Sequence, residues 1–236
     1  MANDVINIVT ILGDSSDVQE VMKVLVNNRE KVSFDVFIPM PSDIKATKKS
    51  APTHEVKLEL IRNYGVYNWQ DWSVKYWGTP HNALHTYFIT HNKIKFLSDT
   101  NCPYEAFNSL STIFPKVKIK LEWADEDLGY NVGVMYIQNG IVIDSKPTKN
   151  GSDEAYEMAI RITDDKFYIS DFLYAIEEDE CDEEFPSMCI RLAFNFRVID
   201  EMFPPYILNK FEQWAVKIED YEFATKIRNL INKNND

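Results

Sequence analysis

The sequence predicts an α+β protein: an antiparallel sheet with a helical insertion, followed by an acidic all-α C-terminal module. Three observations predict it. Short β-branched runs with strand-like alternation occur only within residues 1–147. Apolar residues at helical spacing separate the first of those runs from the later ones. Residues 148–236 offer helical candidates alone and carry most of the negative charge.

Asp4–Leu12 (DVINIVTIL) reads as a first strand, and Gly13-Asp14-Ser15-Ser16 as a turn with N-cap residues. Val18, Val21, Met22, Leu25 and Val26 then recur at helical spacing, which predicts an amphipathic helix over residues 15–28. Val32–Ile38 (VSFDVFI) reads as a second strand, ended by Pro39-Met40-Pro41. Residues 42–52 are polar, lysine-rich and loop-like. The helical insertion is expected over about 53–78. Thr53 would cap a helix through Tyr64 with Val56, Leu60 and Ile61 inside, and Gly65 would stop it. A further helix covers about Trp69–Tyr76, with Trp69, Trp72 and Tyr76 on one stripe, until Gly78-Thr79-Pro80 breaks it.

Leu84–Thr90 and Lys93–Leu97 read as strands, Pro103–Phe114 as a helix, and Val117–Trp123 as a half-buried strand. Val132–Gln138 and Ile141–Asp144 flank Asn139-Gly140, a strong type I′ hairpin signal. Two βαβ-like halves around one sheet make the ferredoxin-like pattern, here with extra strands. Residues 145–152 (SKPTKNGS) form a breaker-rich boundary, so the domains are set at 1–147 and 148–236. Beyond it, helices are expected at 152–163, 168–178, 187–202, 205–217 and 219–233.

Composition narrows the function classes. Residues 1–147 carry 15 Lys/Arg and 17 Asp/Glu, a net of −2. The remaining 10 and 20 give −10, completing the total of −12. An acidic chain repels phosphate backbones, so nucleic acid is a disfavoured partner and a basic protein surface a favoured one. Cys102, Cys181 and Cys189 are an odd number without CxxC spacing, which fits a reducing cytosol. No secretory leader or membrane-length apolar run is visible, so a soluble, cytoplasmic protein is expected.

The most distinctive block is Asn68–Asn82, NWQDWSVKYWGTPHN, with three of the five tryptophans. Trp69, Trp72 and Trp77 suit either a ligand or partner platform or a packed core, and a helical aromatic stripe more often packs. Gly78 would permit a positive φ, and Asn68 and Asn82 would tie the ends of the block. The first 147 residues resemble a family of phage- and plasmid-borne proteins with a YubB-type ferredoxin-like domain. Four pieces carry the resemblance: MAN before a strand and GDSSD; the strand ending Phe37-Ile38-Pro39-Met40-Pro41; Asn68-Trp69-x-x-Trp72 with Tyr76-Trp77-Gly78-Thr79-Pro80-His81-Asn82-Ala83; and a helix ending Ile113-Phe114-Pro115 before strands with Gly129 and Gly133. The family's Trp-Cys near the start is Asp4-Val5 here, and its Trp before the final Asn is His81. The resemblance implies a mobile-element origin and a fold, and brings no activity.

Other chemistry is thin. His81, His85 and His91 do not sit on one helical face, so no metal site is expected. Asp125-Glu126-Asp127 lacks the rest of a calcium loop. Cys102, before Pro103 at a helix start, is placed where a dipole would favour thiolate, with no base beside it in sequence. Walker A, GxGxxG, GxSxG and HExxH motifs are absent. The lysines at 45, 48 and 49 and at 116, 118 and 120 offer phosphate contacts. No catalytic residue and no cofactor is assigned. The expected function is that of a non-enzymatic phage or mobile-element accessory protein that binds a host or phage protein. It would inhibit a host defence or nucleic-acid enzyme through Glu177, Glu178, Asp179, Glu180, Asp182, Glu183 and Glu184. The same run also reads as a solubilising face. The alternative is a small-ligand or nucleotide-binding protein, or an enzyme, with its site at the Trp block.

Overall fold

The structure, a computed structural model, describes residues 3–26, 30–163, 205–217 and 219–233. The chain divides into two compact units, Met1–Thr163 and Asp164–Asp236.

The first unit is built on strand β1 (Asp4–Leu12), whose β-branched residues suit a strand buried on both faces. It pairs antiparallel with β3 (Lys93–Asp99) on one side and β4 (Lys118–Asp125) on the other. With β2 (Leu84–Thr90), β5 (Gly133–Gln138) and β6 (Ile141–Pro147) the sheet order is β2-β3-β1-β4-β5-β6. Helix α1 (Ser15–Leu25) follows β1, and α5 (Tyr104–Ile113) joins β3 to β4. The first four strands and these two helices give the ferredoxin-like βαββαβ arrangement, and β5–β6 extends it. The hairpin at Asn139-Gly140 has φ of 49° and 72°, as a type I′ turn requires.

One face of the sheet meets α1 and α5. Val9, Ile11, Phe96, Ile119 and Leu121 pack there against Val18, Val21, Leu25, Phe107 and Leu110, all buried. The other face is covered by α6 (Asp153–Thr163): Met158, Ala159 and Ile162 lie against Ile8, Ala124 and Val132. Buried Glu122 on β4 binds Arg161 of α6 at 3.1 Å, and Lys95 Nζ on β3 donates to the Thr163 carbonyl at 2.6 Å. Helix α6 therefore belongs to the first unit, and the boundary falls after Thr163 rather than at 147. The breaker-rich residues 145–152 are a turn and not a linker, because the apolar face of β1 needs a cover. Gly133 sits opposite Trp123, and a Cβ there would overlap the indole.

Three further expectations are corrected. Val32–Ile38 is not a strand: Val32 makes one bridge to Val26, and Phe34–Val36 is a single 3-10 turn. Its apolar residues serve as a plug, since Phe34 is fully buried among Phe96, Phe107 and Trp77 at 6.0–6.2 Å between ring centroids. The polar stretch after Pro41 is not wholly a loop, because Ser42–Ala46 forms a short helix, α2. In α3 (His54–Tyr64), capped by Thr53 and ended by Gly65 at φ 72°, Leu60 alone of the expected inner residues is buried. Val56 and Ile61 are 42% and 45% exposed, so α3 is held more by its ends than by a packed face.

In the second unit, α7 (Pro205–Lys217) and α8 (Tyr221–Lys233) pack as a helical pair, burying Leu208, Phe211, Ala215, Phe223 and Ile227. The Asp220 carboxylate accepts from the Phe223 amide at 3.1 Å, an N-cap for α8. Arg228 pairs with Glu212 across the two helices. The helices expected at 168–178 and 187–202, and the acidic run from Glu177 to Glu184, lie outside the described residues. No helix among the described residues is long and apolar enough to cross a membrane.

Candidate functional site at the tryptophan block

Helix α4 (Trp69–Trp77) is fixed at both ends by the residues flanking it. Asn68 caps it: its Oδ1 accepts from the Asp71 amide at 2.8 Å, and its Nδ2 donates to the Asp71 carboxylate at 2.6 Å. Gly78 ends it with φ 83°, where a Cβ would collide with Glu105 and the backbone of Pro103 and Tyr104. Only glycine allows the α4 end to approach α5 so closely.

The three tryptophans do different things. Trp72 and Trp77 are core, 3% and 4% exposed, and meet edge to face at 5.5 Å. Trp72 also packs on Tyr76 at 4.8 Å. The Trp77 indole N–H donates to the Ile38 carbonyl at 3.0 Å, which satisfies its polar atom inside the core. Trp69 is half-buried and faces charge instead. The Lys48 ammonium lies 4.5 Å from its ring centroid and the His81 ring 5.2 Å away. Its backbone N–H donates to Thr47 Oγ1 at 3.0 Å, tying α4 to the turn after α2.

Past Gly78, Thr79, His81 and Asn82 are each pinned. Thr79 is buried, its hydroxyl donating to the Asp99 carbonyl at 2.7 Å. His81 Nδ1 lies 2.6 Å from the Asp99 carboxylate, a contact that assigns the proton to Nδ1 and leaves Nε2 as the other ring nitrogen. Asn82 accepts from the Phe34 amide at 2.8 Å and donates to Ser33 Oγ at 3.1 Å. Asn82 thus holds the buried 3-10 turn onto the start of β2, a structural role that the block's spacing alone does not reveal.

These elements enclose a cleft of about 200 Å³ lined by Asp35, Met40, Lys45, Lys48, Trp77, His81 and Asn82. Sequence reading reached Trp77, Asn82 and the two lysines separately. It missed Asp35 and Met40, which enter because the Asp35 carboxylate accepts from the Met40 amide at 2.9 Å and closes the loop. Lys45, in the last turn of α2, and Lys48, in the turn that follows it, are both exposed and both line the opening. Neither forms an ion pair among the described residues.

The other candidates resolve differently. Among the described residues no three His, Cys, Asp or Glu side chains come close enough to hold a metal ion. Asp125 and Asp127 are engaged by Asn3 and Asn131 through hydrogen bonds of 3.0–3.3 Å. Lys120 pairs with Glu122 at 2.9 Å and lies over Tyr136, so it is not open for phosphate. Cys102 packs at the edge of the main core. Burial pushes its thiol well above the usual range, and Glu105 adds to the rise. That is the reverse of the dipole-stabilised thiolate suggested by its place before Pro103.

Residues 81–166 match the model of the ferredoxin-like domain in Api92-like protein. The match starts inside the tryptophan block and runs past α6, close to where the first unit ends. The chain is also similar to the crystal structure of a protein Api92 from Yersinia pseudotuberculosis, with 20% sequence identity and a TM-score of 0.29. That similarity covers 37% of this chain and 33% of that one, so it spans about a third of the solved protein. Among curated proteins nothing matches.

Replacing Asn82 with Ala strands the Phe34 amide and the Ser33 hydroxyl at the rim of the core. The expected loss is about 1–3 kcal/mol, measured by urea unfolding; a loss below a few tenths would contradict the pinning role. Cys102 gives a pH test. Its folded thiol pKa is raised, so its contribution to stability is complete below the unfolded thiol value, about 8.5, and declines as pH rises through and above it. Stability should fall less between pH 8 and 10 in Cys102→Ala than in the parent. Peptide mapping after iodoacetamide at pH 8 should show Cys102 labelled at least tenfold more slowly in the native chain than in urea.

Proposed function

We propose that this chain is a non-enzymatic binding protein whose ferredoxin-like domain presents the cleft beside Trp77 to a small ligand. One observation carries the reading: the tryptophan block, instead of closing entirely into core, leaves an opening lined by polar residues beside Trp77. Clefts with rigid apolar walls and a few placed polar groups are the usual form of small-ligand sites. Rigidity is provided by the pinned residues, since Trp77, Asn82 and His81 each have a partner outside the cleft. The mobile-element origin and the YubB type rest on the motif from Asn68 to Ala83.

Intrinsic tryptophan fluorescence of the full chain, titrated with a panel of nucleotides, sugar phosphates and amino acids, tests this. A saturable change that weakens at least tenfold in Trp77→Phe or Lys48→Gln is expected. A flat response across the panel, with calorimetry also flat, would remove the reading.

A second reading is favoured by charge. The net of −10 on residues 148–236 suits contact with a basic protein surface, such as a host defence or nucleic-acid enzyme, and electrostatic steering would speed that encounter. Changing the seven acids of the run from Glu177 to Glu184 to Gln or Asn should abolish salt-sensitive capture of such a partner. Capture that persists unchanged would place the contact elsewhere.

A further inference from the structure

We infer that the ligand of the cleft is a phosphorylated small molecule, with its phosphate held between Lys45 and Lys48. The inference rests on the small-ligand reading above and names its chemistry. Two ammonium groups border the opening, and neither is neutralised by a carboxylate among the described residues. Two cationic side chains on one small opening, of which Lys48 lies over the Trp69 ring, raise the local potential and favour an anion between them. Asp35 opposes them with one carboxylate, but it already accepts the Met40 amide, and the lining remains cationic with two lysines against one acid.

Size restricts the ligand further. A cleft of about 200 Å³ holds the volume of some six or seven waters at roughly 30 Å³ each. It falls below the ~300–1,000 Å³ of sites that enclose a whole drug-sized molecule. A phosphate with a few further atoms fits, and the remainder of a nucleotide or sugar phosphate would project outward past Trp69. Asp35, whose Oδ1 accepts the Met40 amide, keeps a second carboxylate oxygen to which a ligand hydroxyl or amine can donate. His81 also lines the opening, with its Nδ1 engaged by Asp99.

Trp69 makes the event visible. Lys48 rests against its ring, so drawing the ammonium towards a phosphate changes the indole environment.

The experiment compares inorganic phosphate, pyrophosphate, a nucleoside monophosphate and the matching uncharged nucleoside, each added to the full chain at low ionic strength and read by calorimetry and by tryptophan fluorescence. The phosphorylated compounds should bind at least tenfold more tightly than the nucleoside, and their affinity should fall as salt rises. The double variant K45Q/K48Q should lose at least tenfold in affinity with an unchanged melting curve. K49Q, which alters an exposed lysine that does not line the cleft, should stay within about twofold. If the nucleoside binds as tightly as its phosphate, the anion assignment fails and the small-ligand site survives. If phosphate binds equally well to K45Q/K48Q, the assignment to these lysines is overturned. If no compound binds, the phosphate assignment is overturned, and the small-ligand reading falls with it only when the amino acids of the wider panel are silent as well.

Discussion

Everything in the first unit depends on β1 being paired along both edges and covered on both faces. A strand in that position has no freedom of register. Val9 and Ile11 must face α1 and α5, while Ile8 must face α6, and a one-residue slip would exchange the two sets. The antiparallel pairings to β3 and β4 fix the sheet order, and that order fixes where each crossover helix can lie. The insertion between α1 and β2 is consequently free to vary in shape but not in where it begins and ends.

The ends of the insertion are where site and fold meet. Asn82 and Thr79 attach its exit to the buried turn at Phe34 and to β3. Trp72 and Trp77 seal its inner side. What is left over, on the outer side, is Trp69 with Lys48 and His81. One block therefore works as both a seal and a rim, with the division running between residues three apart on a single helix turn.

Local periodicity made much of this legible. The alternation of β1 and of the strands after Ala83 carried the sheet, Asn139-Gly140 carried its hairpin, and Thr53, Gly65 and Gly78 carried the helix ends. Where reading failed, long-range partners decided. Val32–Ile38 has strand-like composition, but the hydrogen bond from the Phe34 amide to Asn82, 48 positions away, selects a tight turn. Helix α6 belongs with the sheet, although the breaker-rich turn before it resembles a linker until the uncovered face of β1 is known. The cleft combines residues from 35 to 82: Asp35 carries no motif, and Met40 stands in a motif that reads only as a strand end, so no spacing pattern brings them to the opening. Cys102 follows the same logic: sequence shows the helix start, and only packing shows the burial that outweighs it.

The placement of β1 at the centre of the sheet has a consequence for how the chain is made. Its neighbours are distant in sequence, with Asp4 beside Asp99 and Val5 beside Asp125. The extra loop length created by the insertion is cheap at equilibrium, about 0.6 kcal/mol per doubling. On the ribosome it is a matter of waiting. At roughly 5–20 residues per second, β1 leaves the exit tunnel some 5–25 s before the strands that will flank it. For that interval the most apolar strand of the protein has two open edges and no cover, which makes the nascent chain a natural client for a holding chaperone.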